Sequence, residues 1–299
     1  KITITSSGGL SATEIEQKAA FKLQHYLREI SGTKLKIVPE NKSGHTHNIY
    51  IGNCNNTKKL NIDFLAFGKD GFSLNTLGND LFISGGSGKG VLFGVYGFLE
   101  RLGCRRYSAD IEVVPKNNHL KIPVLNITEI PVFDYRETLM PDASNSDYAE
   151  WHKIHHRSER GNDWGMWVHT FDDLIPPERY FDTHPEYFSL NNGVRSSKTQ
   201  LCLSNPNVLD LVILRLKELI AENPRATYWS VSQNDTYGPC ECLGCKKLDN
   251  QYGGVPSGSL IHFVNQIAER FPTKIISTLA YLYSRRAPAG IKPADNVNI

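Results

Sequence analysis

Past residue 131 the chain alternates short runs rich in aromatic and aliphatic residues with longer stretches of helical periodicity, and this alternation restricts the fold more than any other feature. Runs at 133–138, 164–171, 228–232, 275–283 and 297–299 read as strands. Helical patterns intervene at 147–157, 206–222 and 259–271, the second opening with Asn205 as N-cap and Pro206 in the first turn. Strand, helix, strand in regular succession argues for a parallel sheet. Polar tips after several of the strands suit a (β/α)8 TIM-type barrel, whose chemistry sits at the C-terminal strand ends. A complete barrel takes about 250 residues, so residues 126–299 have room for only about its first half. The sequence therefore reads as a fragment of a longer protein.

Residues 1–125 have a different rhythm. Ser11-Ala12-Thr13-Glu14 fits a capping box, and Ile15, Ala19, Leu23, Leu27 and Ile30 then share one face of a helix over 12–31, with Gly32 as its stop. Short runs at 34–38, 48–51, 71–75 and 80–84 read as strands, and 90–102 as a second helix. This is a small α/β sandwich. Pro123 and Pro131 flank an extended segment, which sets the expected domains at 1–125 and 126–299, an accessory domain followed by the first part of a barrel.

Composition removes whole classes of function. Thirty-three Lys and Arg against 31 Asp and Glu leave a formal charge of +2, and no basic block stands out, so nucleic acid is not an expected partner. The most hydrophobic stretch, 208–220, is interrupted by Asp210, Arg215, Lys217 and Glu218, so no membrane span is expected. The chain begins at Lys1, not Met, which fits the loss of a leading segment such as a signal peptide.

Three motifs carry chemistry. Ser84-Gly85-Gly86-Ser87-Gly88-Lys89-Gly90 has neither the glycine spacing nor the Ser/Thr of a phosphate loop, and reads as a turn that lets a helix pack close on a strand. Cys240, Cys242 and Cys245, with Cys202 as fourth partner, form either a structural zinc site or a disulfide framework. Cys54 and Cys104 read as buried or paired with each other, and His152, His155 and His156 as a solvated helix face. The third motif is a set of strands that end in polar groups after aromatics: Tyr135-Arg136-Glu137-Thr138, the 164–170 run ending in His169-Thr170, and Tyr228-Trp229-Ser230-Val231-Ser232-Gln233-Asn234-Asp235.

Carboxylates and amides beside Trp164, Trp167, Trp229, Tyr281 and Tyr283 suit a carbohydrate, which offers hydroxyls to polar groups and C–H faces to rings. Glycosidic cleavage needs two groups, commonly carboxylates. Asp235 and Glu137 are the candidate catalytic pair. Arg136, His169 and Asn234 are candidates to hold hydroxyls, and Trp167, Trp229 and Tyr281 to stack on sugar rings.

The stretch from Asp70-Gly71-Phe72 through Gly103-Cys104 resembles the small α/β domain that precedes the barrel in α-glucuronidases and β-hexosaminidases. His169-Thr170-Phe171, His184-Pro185-Glu186-Tyr187-Phe188, Leu201-Cys202-Leu203-Ser204-Asn205-Pro206, Ser232-Gln233-Asn234-Asp235 and the Cys-x-Cys-x-x-Cys segment are together similar to a gut-bacterial family, domain of unknown function 4838, part of which is glycoside hydrolase family 163. The resemblance implies an exported glycosidase that needs no catalytic cofactor. For the characterised branch it implies an endo-β-N-acetylglucosaminidase that cuts N-glycan cores by a substrate-assisted retaining route. Asp235 matches the family's strand-end acid, and another acidic residue falls in strands this sequence does not reach. Two rivals remain on the same scaffold: a non-catalytic glycan-binding protein, and an α-glucuronidase, for which Arg136 is the one clear cation.

Overall fold

The computed structural model describes residues 1–4, 12–43 and 47–299. It divides into two compact units, Lys1–Arg157 and Ser158–Ile299.

In the first unit, β1 (Ile2–Ile4), α1 (Glu14–Ser31), β2 (Ile37–Pro39), β3 (Ile49–Ile51), β4 (Phe72–Leu77), β5 (Asp80–Gly85) and α2 (Gly90–Arg101) are followed by a two-stranded ribbon, β6 (Arg105–Arg106) and β7 (Glu112–Val113), then β8 (Asn126–Glu129) and α3 (Ser146–Trp151). The sheet order is β2-β1-β3-β5-β4-β8, parallel across β2, β1, β3 and β5, antiparallel at β4 and β8. Helix α1 starts later than its sequence suggests. Ser11 lies outside the described residues, and Thr13 is the N-cap, its hydroxyl accepting from the Glu16 amide while the Glu16 carboxylate accepts from Thr13 N–H. The rest of the amphipathic pattern holds, with Ala19, Leu23, Leu27 and Ile30 buried and Gly32 left-handed at the C-terminus.

The glycine run after β5 is a close-packing device. A Cβ at Gly85 would stand 2.1 Å from Val91 N, and one at Gly90 2.2 Å from Gly71 O. Only hydrogen fits there, and α2 reaches the sheet because of it.

Residues 126–157 stay with the first unit, against the expected boundary at 125/126. β8 pairs with β4 from Phe72↔Glu129 to Asn75↔Asn126. Trp151, fully buried, packs its ring 5.5 Å from Tyr26 and 5.1 Å from Tyr96. The two prolines therefore flank an edge strand of the first sheet. The strand expected at 133–138 is not formed. The helix expected over 147–157 ends at Trp151, where His152 caps it and Lys153 adopts a left-handed φ of 58°.

The second unit contains α4 (Arg160–Asp163), β9 (Trp164–Met166), α5 (Phe171–Leu174), α6 (Pro177–Tyr180), a hairpin of β10 (Leu190–Asn191) and β11 (Val194–Arg195), α7 (Pro206–Glu222), β12 (Tyr228–Ser230), α8 (Leu243–Gln251), α9 (Ser257–Ala268), β13 (Ile275–Ser277) and β14 (Val297–Asn298). Its main sheet has the order β14-β13-β12-β9, all parallel. Helix α7 has the N-cap and proline that its sequence announces. Its buried stripe of Val208, Val212 and Leu216 joins Trp229, Phe263, Val264 and Ile276 in one core. Each strand is two or three residues long, shorter than its aromatic run, because the chain turns into loops and short helices beyond the first ladder positions.

Trp229 is 1% exposed, and a Cβ at Gly165 would lie 2.2 Å from its ring. Its indole N–H donates to Ala226 O at 3.3 Å. This corrects the expected sugar-stacking role: Trp229 fills the core beneath β9, and Gly165 is the space that admits it. Overpacking a site of this kind costs about 1–3 kcal/mol. Gly165→Ala is expected to lower stability by that amount, and Gly85→Ala, whose new methyl meets backbone, by at least as much. Urea denaturation of each variant measures this, and wild-type midpoints would show that the packing yields freely.

Candidate functional site

The polar tips of the second unit meet where neighbouring parallel strands end. β9, β12 and β13 are adjacent and run the same way, so the residues after each emerge at one edge of the sheet. His169 follows β9, the segment 231–236 follows β12, and Tyr281 follows β13. His169 N–H donates to Ser232 Oγ at 2.9 Å and its Nδ1 faces Gln233 O at 2.8 Å. A carbonyl accepts only, so Nδ1 carries the hydrogen and Nε2 is the acceptor nitrogen of the neutral ring. Thr170 adds two more ties, its N–H to Ser232 O at 3.0 Å and its hydroxyl to Ser230 O at 3.0 Å.

Gln233 is buried and holds β13's loop in place. Its Nε2 lies 2.6 Å from Ser284 Oγ, 3.0 Å from Leu279 O and 3.3 Å from Tyr281 O. The Tyr281 hydroxyl in turn donates to Asp235 Oδ1 at 2.9 Å, and its ring centroid is 5.7 Å from that of His169. That hydrogen bond, and then the carboxylate's charge, raise the Tyr281 pKa above the usual phenol value. His169, Asp235 and Tyr281 thus form one partly exposed group: an imidazole, a carboxylate and a phenol on three consecutive strands of the sheet. Asp235 and Tyr281 are exposed and His169 is intermediate.

Other expected site residues have structural work. Asn234 is 9% exposed and both ends of its amide are engaged, Nδ2 donating to Asp172 Oδ1 at 2.8 Å and Thr199 O at 2.7 Å, and Oδ1 accepting from Asp172 N at 3.3 Å. It is a bracket within the protein, not a group offered to a sugar hydroxyl. Gln200 completes the bracket, accepting from Asn234 N–H at 3.0 Å and donating to Asn234 O and Thr236 O at 3.0 and 2.7 Å. Trp167 carries the Arg160 guanidinium 3.9 Å over its ring and meets Trp164 edge-on at 4.6 Å, so one of its faces is taken.

In the first unit, Arg136 is likewise corrected. Its donors go to Asp70 Oδ2 at 2.8 Å, Phe133 O at 2.7 Å and Lys153 O at 2.9 Å, which spends the guanidinium on the protein itself. Glu137 accepts from the Tyr135 hydroxyl. His155 is no solvated face residue: it stacks on Tyr135 at 4.7 Å and its Nε2 lies 3.5 Å from Asp70. Cys54 and Cys104 are buried free thiols, their pKa values pushed up to about 12 and about 11 by that burial. Neither is a nucleophile at neutral pH.

The four remaining cysteines come together. Every Sγ of Cys202, Cys240, Cys242 and Cys245 lies within 4.8 Å of the others, and none is in a disulfide. Cys202 is 3.6 Å from Cys242 and 4.0 Å from Cys245. Cys242 is the N-cap of α8, its sulfur accepting from Cys245 N–H at 3.4 Å. Hydrogen bonds from Cys240 and Cys245 favour the thiolate of Cys202, and their own ionisation is pushed up in consequence, Cys240 to about 11. Cys245 lies in the first turn of α8, so the segment runs directly into a helix.

Asp172 went unnoticed in the sequence, where it is one acid in an ordinary Asp-Asp pair at the start of a short helix. Burial raises its pKa, and the hydrogen bond from Asn234 opposes that only in part. A carboxyl with a raised folded-state pKa holds its proton more tightly folded than unfolded, so its contribution to stability falls as pH rises through the carboxylate range. Asp172→Asn keeps an oxygen for Asn234 and removes the charge. The variant is expected to melt higher than wild type near pH 7 and level with it below about pH 3. A pH series of melting curves measures this, and a wild type more stable than the variant at pH 7 would refute it.

Two family models match. Residues 106–299 fit the one described as Domain of unknown function (DUF4838), and residues 4–98 the one described as Glycosyl hydrolase family 67 N-terminus. No curated protein matches the chain. Among solved structures it is similar to the GH20 β-N-acetylhexosaminidase of Streptomyces coelicolor A3(2), at 14% identity and TM-score 0.47 over 99% of this chain and 64% of that one. It is also similar to the β-N-acetylhexosaminidase of Bacteroides fragilis NCTC 9343, at 10% identity and TM-score 0.46 over 99% and 65%, and to the N-acetyl-β-hexosaminidase of Streptomyces plicatus, at 13% and 0.45 over 99% and 63%. The chain spans a little under two thirds of the length of each. No helix among the described residues is long and apolar enough to cross a membrane. With the first model covering well over half of its residues, the chain belongs to the DUF4838 family and carries a glycosyl hydrolase family 67 N-terminus ahead of that domain.

Proposed function

We propose that the chain is part of an exported glycoside hydrolase that cleaves glycans containing N-acetylglucosamine, endo-acting on the core of N-glycans, and that the second unit is the first portion of a (β/α)8 catalytic barrel. The observation that carries this reading is the Tyr281–Asp235 hydrogen bond beside His169, at the C-terminal ends of three adjacent parallel strands. Chemistry in (β/α) barrels gathers at that edge. The glycosyl hydrolase N-terminus over residues 4–98 supports the same class.

In this reading Asp235 orients the substrate's own 2-acetamido group. Its Oδ1 accepts from Tyr281, which fixes the carboxylate and leaves Oδ2 to accept from the acetamido N–H. The acetamido oxygen then attacks the anomeric carbon as the glycosidic oxygen departs with a proton from an acid. Water opens the cyclic intermediate with retention, the route known for substrate-assisted glycosidases. His169 Nε2 accepts from a sugar hydroxyl. Arg136 weighs against the uronic-acid alternative, because the one cation suited to a substrate carboxylate is spent on Asp70.

Mass analysis of N-glycoproteins incubated with the full-length protein tests the substrate. Whole glycans are expected to leave with one N-acetylhexosamine remaining on the polypeptide, whereas binding without release would favour a lectin-like role. An orienting carboxylate is needed whatever the leaving group. Asp235→Asn is therefore expected to lower kcat about 100–1000-fold on aryl glycosides and natural glycans alike, and Tyr281→Phe by a smaller factor. A loss confined to natural glycans would reassign Asp235 as the proton donor, and unchanged turnover would overturn the site.

A further inference from the structure

We infer that Cys202, Cys240, Cys242 and Cys245 bind one structural zinc ion. The edge of a tetrahedron of sulfurs at the usual Zn–S distance of about 2.3 Å is about 3.8 Å. The separations of Cys202 from Cys242 and Cys245, 3.6 and 4.0 Å, bracket that value. All four sulfurs stay within 4.8 Å of one another. A pair of disulfides would instead draw the sulfurs two by two to about 2.05 Å, and here no pair is singled out.

The surroundings of the sulfurs are those of thiolates under a metal. Leu190 N–H points at Cys240 Sγ from 3.4 Å and Cys245 N–H at Cys242 Sγ from 3.4 Å. The Ser204 hydroxyl oxygen lies 3.2 Å from Cys245 Sγ, 3.4 Å from Cys242 Sγ and 3.7 Å from Cys202 Sγ. Arg195 Nη1 is 3.7 Å from Cys240 Sγ. Four thiolates around Zn²⁺ carry a net charge of −2, and Arg195, these donors and the N-terminus of α8 face that charge. An all-sulfur tetrahedral set selects zinc among common divalent ions and leaves it no open position, so the role is structural. Loading displaces the remaining thiol protons, up to four per ion.

The ion would tie three stretches of chain: the end of the segment from the β10–β11 hairpin, the loop leaving Asp235, and α8, adding to the hydrogen bonds from Glu241 N–H to Leu190 O and from Gln200 Nε2 to Thr236 O. Gln200, which brackets Asn234, stands two residues before Cys202. The metal therefore anchors both sides of the loop that presents Asp235.

Protein purified without chelator is expected to contain one zinc per chain by elemental mass spectrometry. Cobalt exchanged into the site should give the intense ligand-field and thiolate charge-transfer bands of a four-sulfur tetrahedral complex. Removing the metal with a strong chelator should lower the melting temperature by several degrees and expose four further thiols to a thiol reagent. A native mass four hydrogens light with no metal would overturn the inference in favour of two disulfides. Iron in place of zinc, or zinc undiminished in a Cys240→Ser/Cys245→Ser double variant, would overturn it too. The cobalt spectrum is read on the unmutated chain and decides the matter even where that variant does not fold.

Discussion

The second unit's rim depends on one buried side chain. Gln233 leaves β12 directly below Asn234 and Asp235, and its amide nitrogen reaches the backbone and hydroxyl of the loop after β13, while its backbone carbonyl accepts from His169 Nδ1. A single residue thus connects the ends of three strands that are each only three residues long. Strands so short contribute few ladder bonds, and leaving buried amide groups unpaired costs about 1–3 kcal/mol each. The polar network beyond the ladders therefore carries much of the geometry of the site, with the Gln233 amide nitrogen and backbone carbonyl engaged and its side-chain oxygen buried without a hydrogen-bond partner among the described residues.

That division of labour explains which features were readable in the sequence. Helices α1, α2 and α7 declared themselves because an apolar stripe at helical spacing, with a capping residue or a stop glycine, constrains few alternatives. The glycine run was readable because its spacing fits no phosphate loop, and the structure sets Gly85, Gly86 and Gly90 hard against backbone. The cysteines were readable through their spacing alone, although the helix that Cys242 caps was not. The parallel second sheet was legible as a rhythm, but its strand lengths were not, because an aromatic run reads the same whether it lies in a ladder or turns away from it.

Residue roles were harder than elements, and for one reason. Arg136, Asn234 and Trp229 are the right chemistry for a sugar, and each is consumed internally: by Asp70 and two carbonyls, by Asp172 and Thr199, and by the space over Gly165. Donors and rings serve a core network as readily as a ligand, and a one-dimensional pattern carries no sign of which partner lies nearby in space. Asp235 and Tyr281 differ in being exposed while still bonded to each other. Pairing at the surface, where water would satisfy either group, holds a carboxylate in one orientation at a cost in side-chain entropy that stability alone does not require.

His169 extends the same argument to the backbone. Its φ of 57° puts a side-chain-bearing residue in the left-handed region, a conformation that costs about 1 kcal/mol or more without glycine's freedom. It persists because the residue is fixed from both sides: its own N–H by Ser232, its ring by Gln233 O, and the next residue by Ser230 and Ser232. A glycine would relieve the backbone and forfeit the imidazole. The ring held in this way stands with its centroid 5.7 Å from that of Tyr281, whose hydroxyl donates to Asp235. The strained residue and the surface-paired carboxylate come from different strands and rest on different bonds, and both turn toward the same edge of the sheet.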